Sequence, residues 1–191
     1  MIFRLDESLT QDGFPIDTFN SGLERSPGLH LTDVIRDIAG VLFPKQKVSR
    51  DNCSWNREAT MGMGFLWECA LSDVMRDKMA HRIGEVECDG IMMSPDGVDW
   101  GNGVLEEYKC TWKSTRHPPE DNWEWMTQIK GYLWGIGKGE MTRVVMRVLY
   151  VMGDWKGGGP EYRVWRGEFE EWELRENWEM IVNHAKARGW V

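Results

Sequence analysis

The spacing of apolar residues divides the chain into alternating helices and strands. Apolar residues at helical spacing, as in Val34, Ile35, Ile38 and Leu42, predict helices, and runs rich in β-branched residues predict strands. The predicted helices span residues 33–43, about 58–80, 123–136 and about 170–188, and the predicted strands span 83–93, 103–112, 143–152 and 162–165. Residues 1–28 are rich in Gly, Pro, Asp and Ser, which predicts irregular structure there. This order predicts an α/β fold in which a mixed central β-sheet is flanked by helices.

Length and charge narrow the class of protein. The 191 residues fit a single domain, with a core over about 27–170 and a C-terminal helix over about 170–188. A net charge of −8 argues against a protein that coats nucleic acid through bulk charge, but it allows a local basic groove. The sequence has neither a signal peptide nor an apolar run long enough for a membrane span. We therefore expect an intracellular protein in the cytoplasm, or in the host cytoplasm if the protein is viral.

The cysteine and tryptophan residues do not indicate a functional site by themselves. Cys53, Cys69, Cys88 and Cys110 have no C-x-x-C spacing, so four reduced thiols are expected rather than disulfides or a cysteine metal cluster. Most of the 12 tryptophans are expected in the core or as amphipathic surface anchors, and a few could stack on bases.

The stretch around residues 89–109 carries the candidate chemistry. Alternate side chains of a strand share a face, so Glu107 and Lys109 point the same way. If the flanking strands form a hairpin centred near residue 98, Asp89 falls opposite Glu107, with Cβ atoms about 4.5–5.5 Å apart. Two carboxylates at that separation repel unless a hard divalent cation lies between them, and Lys109 would then reach the attacking water or the scissile phosphate. The alternative is an exposed charged strand with a simple Glu–Lys pair.

Three residues on predicted helices extend this set. Glu68 lies in the apolar run FLWECAL, where burial of a carboxylate is costly unless it is paired or bound to metal. It is a candidate third metal ligand, and a place on the solvated side of the helix is the alternative. Gln128 and Tyr132 are four residues apart and share one helix face, where they could hydrogen-bond a phosphate or orient a catalytic group. The alternative is that both are solvated surface residues.

Taken in order, these residues resemble the motifs of PD-(D/E)XK nucleases. The resemblance rests on Glu68, Asp89, Glu107-Tyr108-Lys109 and Gln128-x-x-x-Tyr132, and it covers roughly residues 27–150. Within the superfamily the chain is most similar to the RecB-like and phage lambda-exonuclease-like branch. The segment SPGLHLTDVI resembles the opening helix of that branch. The chain departs from some relatives, because Gly64-Phe65-Leu66-Trp67 rather than a histidine precedes Glu68. No cysteine follows Cys110 to supply the late ligands of an iron–sulfur cluster.

The resemblance implies a fold, a cofactor and roles for the residues. It implies a restriction-endonuclease-like core in which Asp89, Glu107 and the Tyr108 backbone carbonyl bind Mg²⁺ or Mn²⁺. Lys109 would assist the nucleophile, and Glu68 would correspond to the acidic residue of the preceding helix.

The expected function is metal-dependent hydrolysis of DNA by an exonuclease of recombination, repair or phage replication. An endonuclease of restriction or junction-resolving type is the alternative among enzymes, and a catalytically inactive nucleic-acid-binding module is the alternative from another class. DNA is the expected partner, and a homo-oligomer and a recombination or replication protein are further candidates. The basic residues expected near the DNA backbone are Lys113, Arg116, Lys130, Lys138 and Arg143.

Overall fold

Helices and strands alternate along the computed structural model, which describes residues 3–5, 26–44, 57–76, 80–154, 156 and 158–191. The helices of this part of the chain are α1 (Leu31–Leu42), α2 (Arg57–Arg76), α3 (Trp123–Gly137) and α4 (Glu171–Ala187), with a 3-10 turn at Pro119–Asp121. The strands are β1 (Arg4–Leu5), β2 (Leu29–His30), β3 (Val86–Cys88), β4 (Ile91–Met93), β5 (Gly97–Asp99), β6 (Val104–Thr111), β7 (Arg143–Tyr150) and β8 (Glu161–Glu168). The irregular segment predicted over residues 1–28 lies mostly outside the described residues, although residues 4–5 form β1.

Two mixed sheets organise the fold. The larger has the strand order β1-β8-β7-β6-β5, and in it only β6 and β7 are parallel. The smaller has the order β2-β4-β3, with β2 parallel to β4. A parallel pair needs a crossover connection, and α3 lies in the chain between β6 and β7. The predicted α/β class, with mixed sheets flanked by helices, is confirmed.

The two faces of the larger sheet carry separate cores. One core packs α1, α3 and α4 against the sheet and includes Leu105 of β6. The other packs α2 against the sheet and includes Tyr108 of the same strand. The alternation predicted for β6 is therefore confirmed, and the strand is buried on both sides. Among the described residues, no helix combines the length and apolar character needed to cross a bilayer.

The strand predicted over residues 83–93 is wrong, because two short strands occupy its place. Asp89 and Gly90 form a tight turn with φ values of 51° and 77°, and Cys88 pairs with Ile91 across it. Asp-Gly is a preferred pair for a two-residue hairpin turn, since both residues tolerate positive φ. The turn reverses the chain before it reaches the larger sheet.

The hairpin that leads to the catalytic candidate Glu107 lies further along the chain. β5 pairs with β6 in a register that joins Gly97 to Glu106 and Asp99 to Val104, so the hairpin is centred between residues 101 and 102. The predicted centre near residue 98 is therefore wrong. Extending the observed register by one residue places Asp96, not Asp89, opposite Glu107.

Candidate active site

A cavity of about 610 Å³ opens beside the β5–β6 hairpin. Its wall carries four carboxylates, two cationic side chains and an amide–phenol pair, namely Glu68, Glu85, Asp96, Glu107, Arg82, Lys109, Gln128 and Tyr132. Five of the residues predicted for the site, Glu68, Glu107, Lys109, Gln128 and Tyr132, are thus brought together, and Asp89 is not among them.

Asp96 is the acidic partner of Glu107 that the sequence analysis missed. Its side chain is buried, and its Oδ2 accepts a hydrogen bond from the Tyr108 backbone N–H at 2.6 Å. Burial raises the pKa of Asp96, and the nearby charges of Lys109 and Arg82 oppose that rise. The hydrogen bond fixes the carboxylate, which lies one residue before β5, against the middle of β6.

Glu107 and Lys109 form an ion pair inside the cavity wall. Lys109 Nζ donates to Glu107 Oε1, and Glu107 is only 1% exposed. The other oxygen, Glu107 Oε2, is buried and has no hydrogen-bond partner among the described residues. Burial raises the pKa of Glu107 to about 8; Lys109 lowers it and Asp96 adds to the rise.

Lys109 is a permanent cation in this setting. Burial alone would lower its pKa, but the carboxylates of Glu107, Asp96 and Glu68 outweigh burial and raise it above its ordinary value. Lys109 is therefore protonated near neutral pH and does not act as a base there. It can donate hydrogen bonds and offset negative charge.

Asp89 lies elsewhere, so its predicted place opposite Glu107 and its predicted metal role with that residue are corrected. Its side chain is exposed in the β3–β4 turn, and Oδ2 accepts from Trp178 Nε1 of α4 at 2.7 Å. That hydrogen bond is the main reason its pKa is lowered. Asp89 therefore anchors the turn to α4.

A signal for Asp96 was present in the sequence. The segment Trp100-Gly101-Asn102-Gly103 has the Gly and Asn content of a hairpin tip, and a hairpin centred on it pairs residues 96 and 107. A hairpin centred on the whole turn-rich stretch from Ser94 to Asn102 has its centre near residue 98 and pairs residue 89 with residue 107 instead.

The helical residues of the predicted set line the cavity. Glu68 of α2 is half-buried there, and its charge acts on both Glu107 and Lys109. On α3, Gln128 Nε2 donates to Tyr132 Oη at 2.8 Å, so the predicted shared face is confirmed. Burial, followed by the charge of Glu107, raises the pKa of Tyr132, and its phenol stays protonated.

A polar cluster around Glu85 forms another part of the wall and was not predicted. Glu85 Oε2 accepts from the Ser26 backbone N–H at 3.1 Å, and Oε1 accepts from Ser94 Oγ at 3.3 Å. The ring of His30, which is buried just before α1, lies 3.8 Å from Glu85 Oε1. These contacts join the segment before α1 to the site.

None of the five basic residues suggested for the DNA backbone lines the cavity, and four have protein partners. Lys113 lies over the Trp125 ring, Lys130 pairs with Glu173, Lys138 Nζ lies 2.6 Å from Cys88 Sγ, and Arg143 donates to the Asn102 carbonyl. Their contacts with DNA stay a prediction. Cys69, Cys88 and Cys110 are free thiols as expected, and Cys53 lies outside the described residues.

The donor set fits a hard divalent cation. In the described part of the chain, no three His, Cys, Asp or Glu side chains already form a metal cage. Mg²⁺ does not require one, because it commonly binds through one or two carboxylates and keeps several waters. Asp96 and Glu107 supply two carboxylates, and Glu107 Oε2, which has no hydrogen-bond partner in the described part of the chain, is a buried oxygen that a cation would satisfy. The metal roles of Glu68 and of the Tyr108 carbonyl stay predictions.

Comparison with models of protein families gives no match, and comparison with curated proteins gives none either. The function proposed for this chain therefore rests on the geometry of this cavity.

Proposed function

We propose that this chain is a metal-dependent deoxyribonuclease that hydrolyses phosphodiester bonds in the cavity beside β5 and β6. One observation carries the proposal: Asp96 and Glu107 line one cavity, with Lys109 paired to Glu107 and one Glu107 oxygen buried without a hydrogen-bond partner among the described residues. Two acids and a lysine in this arrangement suit phosphoryl chemistry, which depends on positioning and on charge stabilisation.

The cation-binding residues would be Asp96 and Glu107. A bound Mg²⁺ or Mn²⁺ would act as a Lewis acid on the phosphate and lower the pKa of a water. The chain would contribute to this chemistry by holding the two carboxylates in fixed positions. The hydrogen bond from the Tyr108 N–H holds the carboxylate of Asp96 in this way. The raised pKa of Glu107 also falls when a cation approaches, because positive charge favours the carboxylate.

The remaining side chains act on the substrate directly. The Lys109 ammonium would donate to a non-bridging phosphate oxygen and offset the negative charge that builds there. The Gln128–Tyr132 pair brings an amide and a neutral phenol to the cavity without adding negative charge. Either group can hydrogen-bond a phosphate or the attacking water and so orient the reaction.

The resemblance to PD-(D/E)XK nucleases supports the same proposal once Asp96 replaces Asp89. Pro95-Asp96 and Glu107-Tyr108-Lys109 then supply the acid, acid and lysine in the order of that superfamily. The β5–β6 hairpin, α3 and the parallel strand β7 are consistent with the restriction-endonuclease-like core that the resemblance implies. An exonuclease is the form that the Gln128-x-x-x-Tyr132 helix favours.

Incubation of the purified chain with end-labelled linear duplex, single-stranded and closed circular DNA tests the proposal. We expect loss of linear DNA with Mg²⁺ or Mn²⁺ and none with EDTA or in Lys109→Ala. Cutting of circles would indicate the endonuclease alternative. Absence of cutting under every condition would reject the nuclease and favour a binding module.

A further inference from the structure

Arg82 is a cavity-lining cation that the nuclease chemistry described above does not use. It lines the same cavity as Asp96 and acts on that carboxylate electrostatically, and its guanidinium makes no hydrogen bond or ion pair with any described residue. The other cation of the wall, Lys109, is paired with Glu107. Arg82 is thus a half-buried guanidinium with its donors unmatched.

The backbone next to Arg82 is held rigidly on the edge of the larger sheet. His81 forms an antiparallel bridge to Val98, with His81 N–H donating to Val98 O at 3.0 Å and Val98 N–H donating to His81 O at 2.8 Å. Extending this bridge by one residue places Arg82 beside Gly97, the residue after Asp96. The side chain therefore starts from a fixed point close to the acid pair.

Electrostatics place Arg82 on the Asp96 side of the cavity. Its positive charge lowers the pKa of Asp96 and opposes the burial that raises the pKa of Cys69, next to Glu68. Lys109 also acts on Asp96, but its ammonium is hydrogen-bonded to Glu107. Lys109 is thus engaged by an acid of the site, whereas the guanidinium of Arg82 has no such bond among the described residues.

We propose that Arg82 binds a non-bridging oxygen of the DNA phosphate adjacent to the scissile phosphate, an inference that rests on the proposed function. A guanidinium presents a planar fork of donors that matches phosphate geometry, and it keeps its charge at every accessible pH. In a cavity whose wall carries four carboxylates and two cations, this cation supplies attraction for a phosphate that Lys109 does not reach. Arg82 is then a substrate-positioning residue.

DNA binding provides the first test, because it does not require turnover. In the Lys109→Ala background, Arg82→Ala should weaken binding of a short labelled duplex by about 10- to 100-fold, the effect of one charge-assisted hydrogen bond. The slope of log K against log salt concentration should fall by about 1, since one phosphate contact is lost. Arg82→Lys should retain that slope with intermediate affinity. The matched control is Arg175→Ala, an exposed arginine on α4 that faces Glu171, and it should change neither quantity.

A scan of neutral methylphosphonate linkages locates the contacted phosphate. In the otherwise unchanged chain, neutralising the phosphate next to the cut should reduce kcat/KM, and in Arg82→Ala that single penalty should disappear while the others remain. Equal penalties in both proteins, or unchanged affinity and salt slope in Arg82→Ala, would overturn the role of Arg82. If the chain cuts no DNA but Arg82→Ala still weakens binding, the nuclease proposal fails and the phosphate contact stands. If the chain cuts DNA and Arg82→Ala matches it throughout, only the Arg82 inference fails.

Discussion

Replacing Asp96 by asparagine should abolish nuclease activity without weakening the fold. The amide has the shape of the carboxylate, and its oxygen can still accept from the Tyr108 N–H. The variant loses the charge that would hold a cation. Loss of one such ligand removes several kcal/mol of stabilisation of the transition state, and about 4 kcal/mol corresponds to a rate about 1,000-fold lower.

The stability of the same variant should be equal to or higher than that of the unchanged chain. A hydrogen bond to a neutral acceptor is weaker by about 1 kcal/mol than one to a charged acceptor. Against this loss, burial of an ion costs several kcal/mol, and the raised pKa of Asp96 shows that burial dominates its surroundings. We expect the free energy of unfolding to rise by about 1–3 kcal/mol, which is roughly 2–10 °C in Tm for a chain of this size.

Asp89→Asn is the matched control, and it should show the opposite pattern. Asparagine tolerates the φ of 51° at this turn, so the backbone is unstrained. The hydrogen bond from Trp178 Nε1 loses its charged acceptor, which should cost about 1 kcal/mol, or about 2–4 °C in Tm. Activity should stay within about twofold, because the side chain is outside the cavity.

Two measurements test the roles assigned to Asp96 and Asp89. The cleavage rate is measured under single-turnover conditions with Mg²⁺, and thermal unfolding is followed in EDTA so that cation binding does not contribute to Tm. An Asp96→Asn protein that cuts at near the original rate would refute the assignment of Asp96. An Asp89→Asn protein that keeps its Tm but loses cleavage would refute the observed hairpin register as the basis of the site.

Three further predictions concern stability. Arg147→Met should lower the free energy of unfolding by about 3–5 kcal/mol in urea, because Glu106, held by Arg147 Nε at 2.8 Å, would be buried without its partner. Adding Glu106→Leu should restore most of the loss, and a single variant as stable as the unchanged chain would contradict the argument. Gly64→Ala should raise the free energy of unfolding by about 0.5–1 kcal/mol, since among the described residues no atom outside the backbone of α2 lies within 4 Å of the added Cβ, and a lower Tm would count against it. The folded pKa of Asp89 is lowered below its ordinary 3.8. The stability difference between the unchanged chain and Asp89→Asn should therefore be constant above about pH 5 and shrink as the pH falls through 3.8 toward the folded pKa. Urea unfolding between pH 3 and 7 measures this difference, and a difference that grows on acidification would contradict the prediction.

Elements with strong periodicity were predictable from the sequence. The predicted helix over 123–136 and strand over 143–152 match α3 and β7 to within two residues at each end. Glu107 and Lys109 were predictable as one-face neighbours because the strand repeat is two residues, and Gln128 and Tyr132 because the helical repeat brings residues four apart together. The bounds of an element and the residues that share one of its faces depend on residues close together in the sequence, so the local pattern is enough to predict them.

The acidic residue opposite Glu107 could not be predicted from local patterns, because its identity depends on which turn closes the hairpin. Two Asp-Gly pairs occur within nine residues, at 89–90 and 96–97, and both are compatible with a turn. The first forms the turn of the smaller sheet, while the second leads into β5. Arg82 depends on a still longer connection, the bridge from His81 to Val98, which no local pattern indicates.

The geometry of the candidate active site depends on the number of residues in the short tip between β5 and β6. Residues 100–103 join the strands, and the Asp96 carboxylate is held by the Tyr108 N–H on the other side of the same hairpin. Exchanging one tip side chain for another leaves this pairing intact. Adding or deleting one residue would slide β5 along β6 and turn every side chain of β5 to the opposite face. Homologous chains that keep the proposed acid pair should therefore vary freely in the identity of the tip residues while preserving the eleven-residue interval from the first acid to the second.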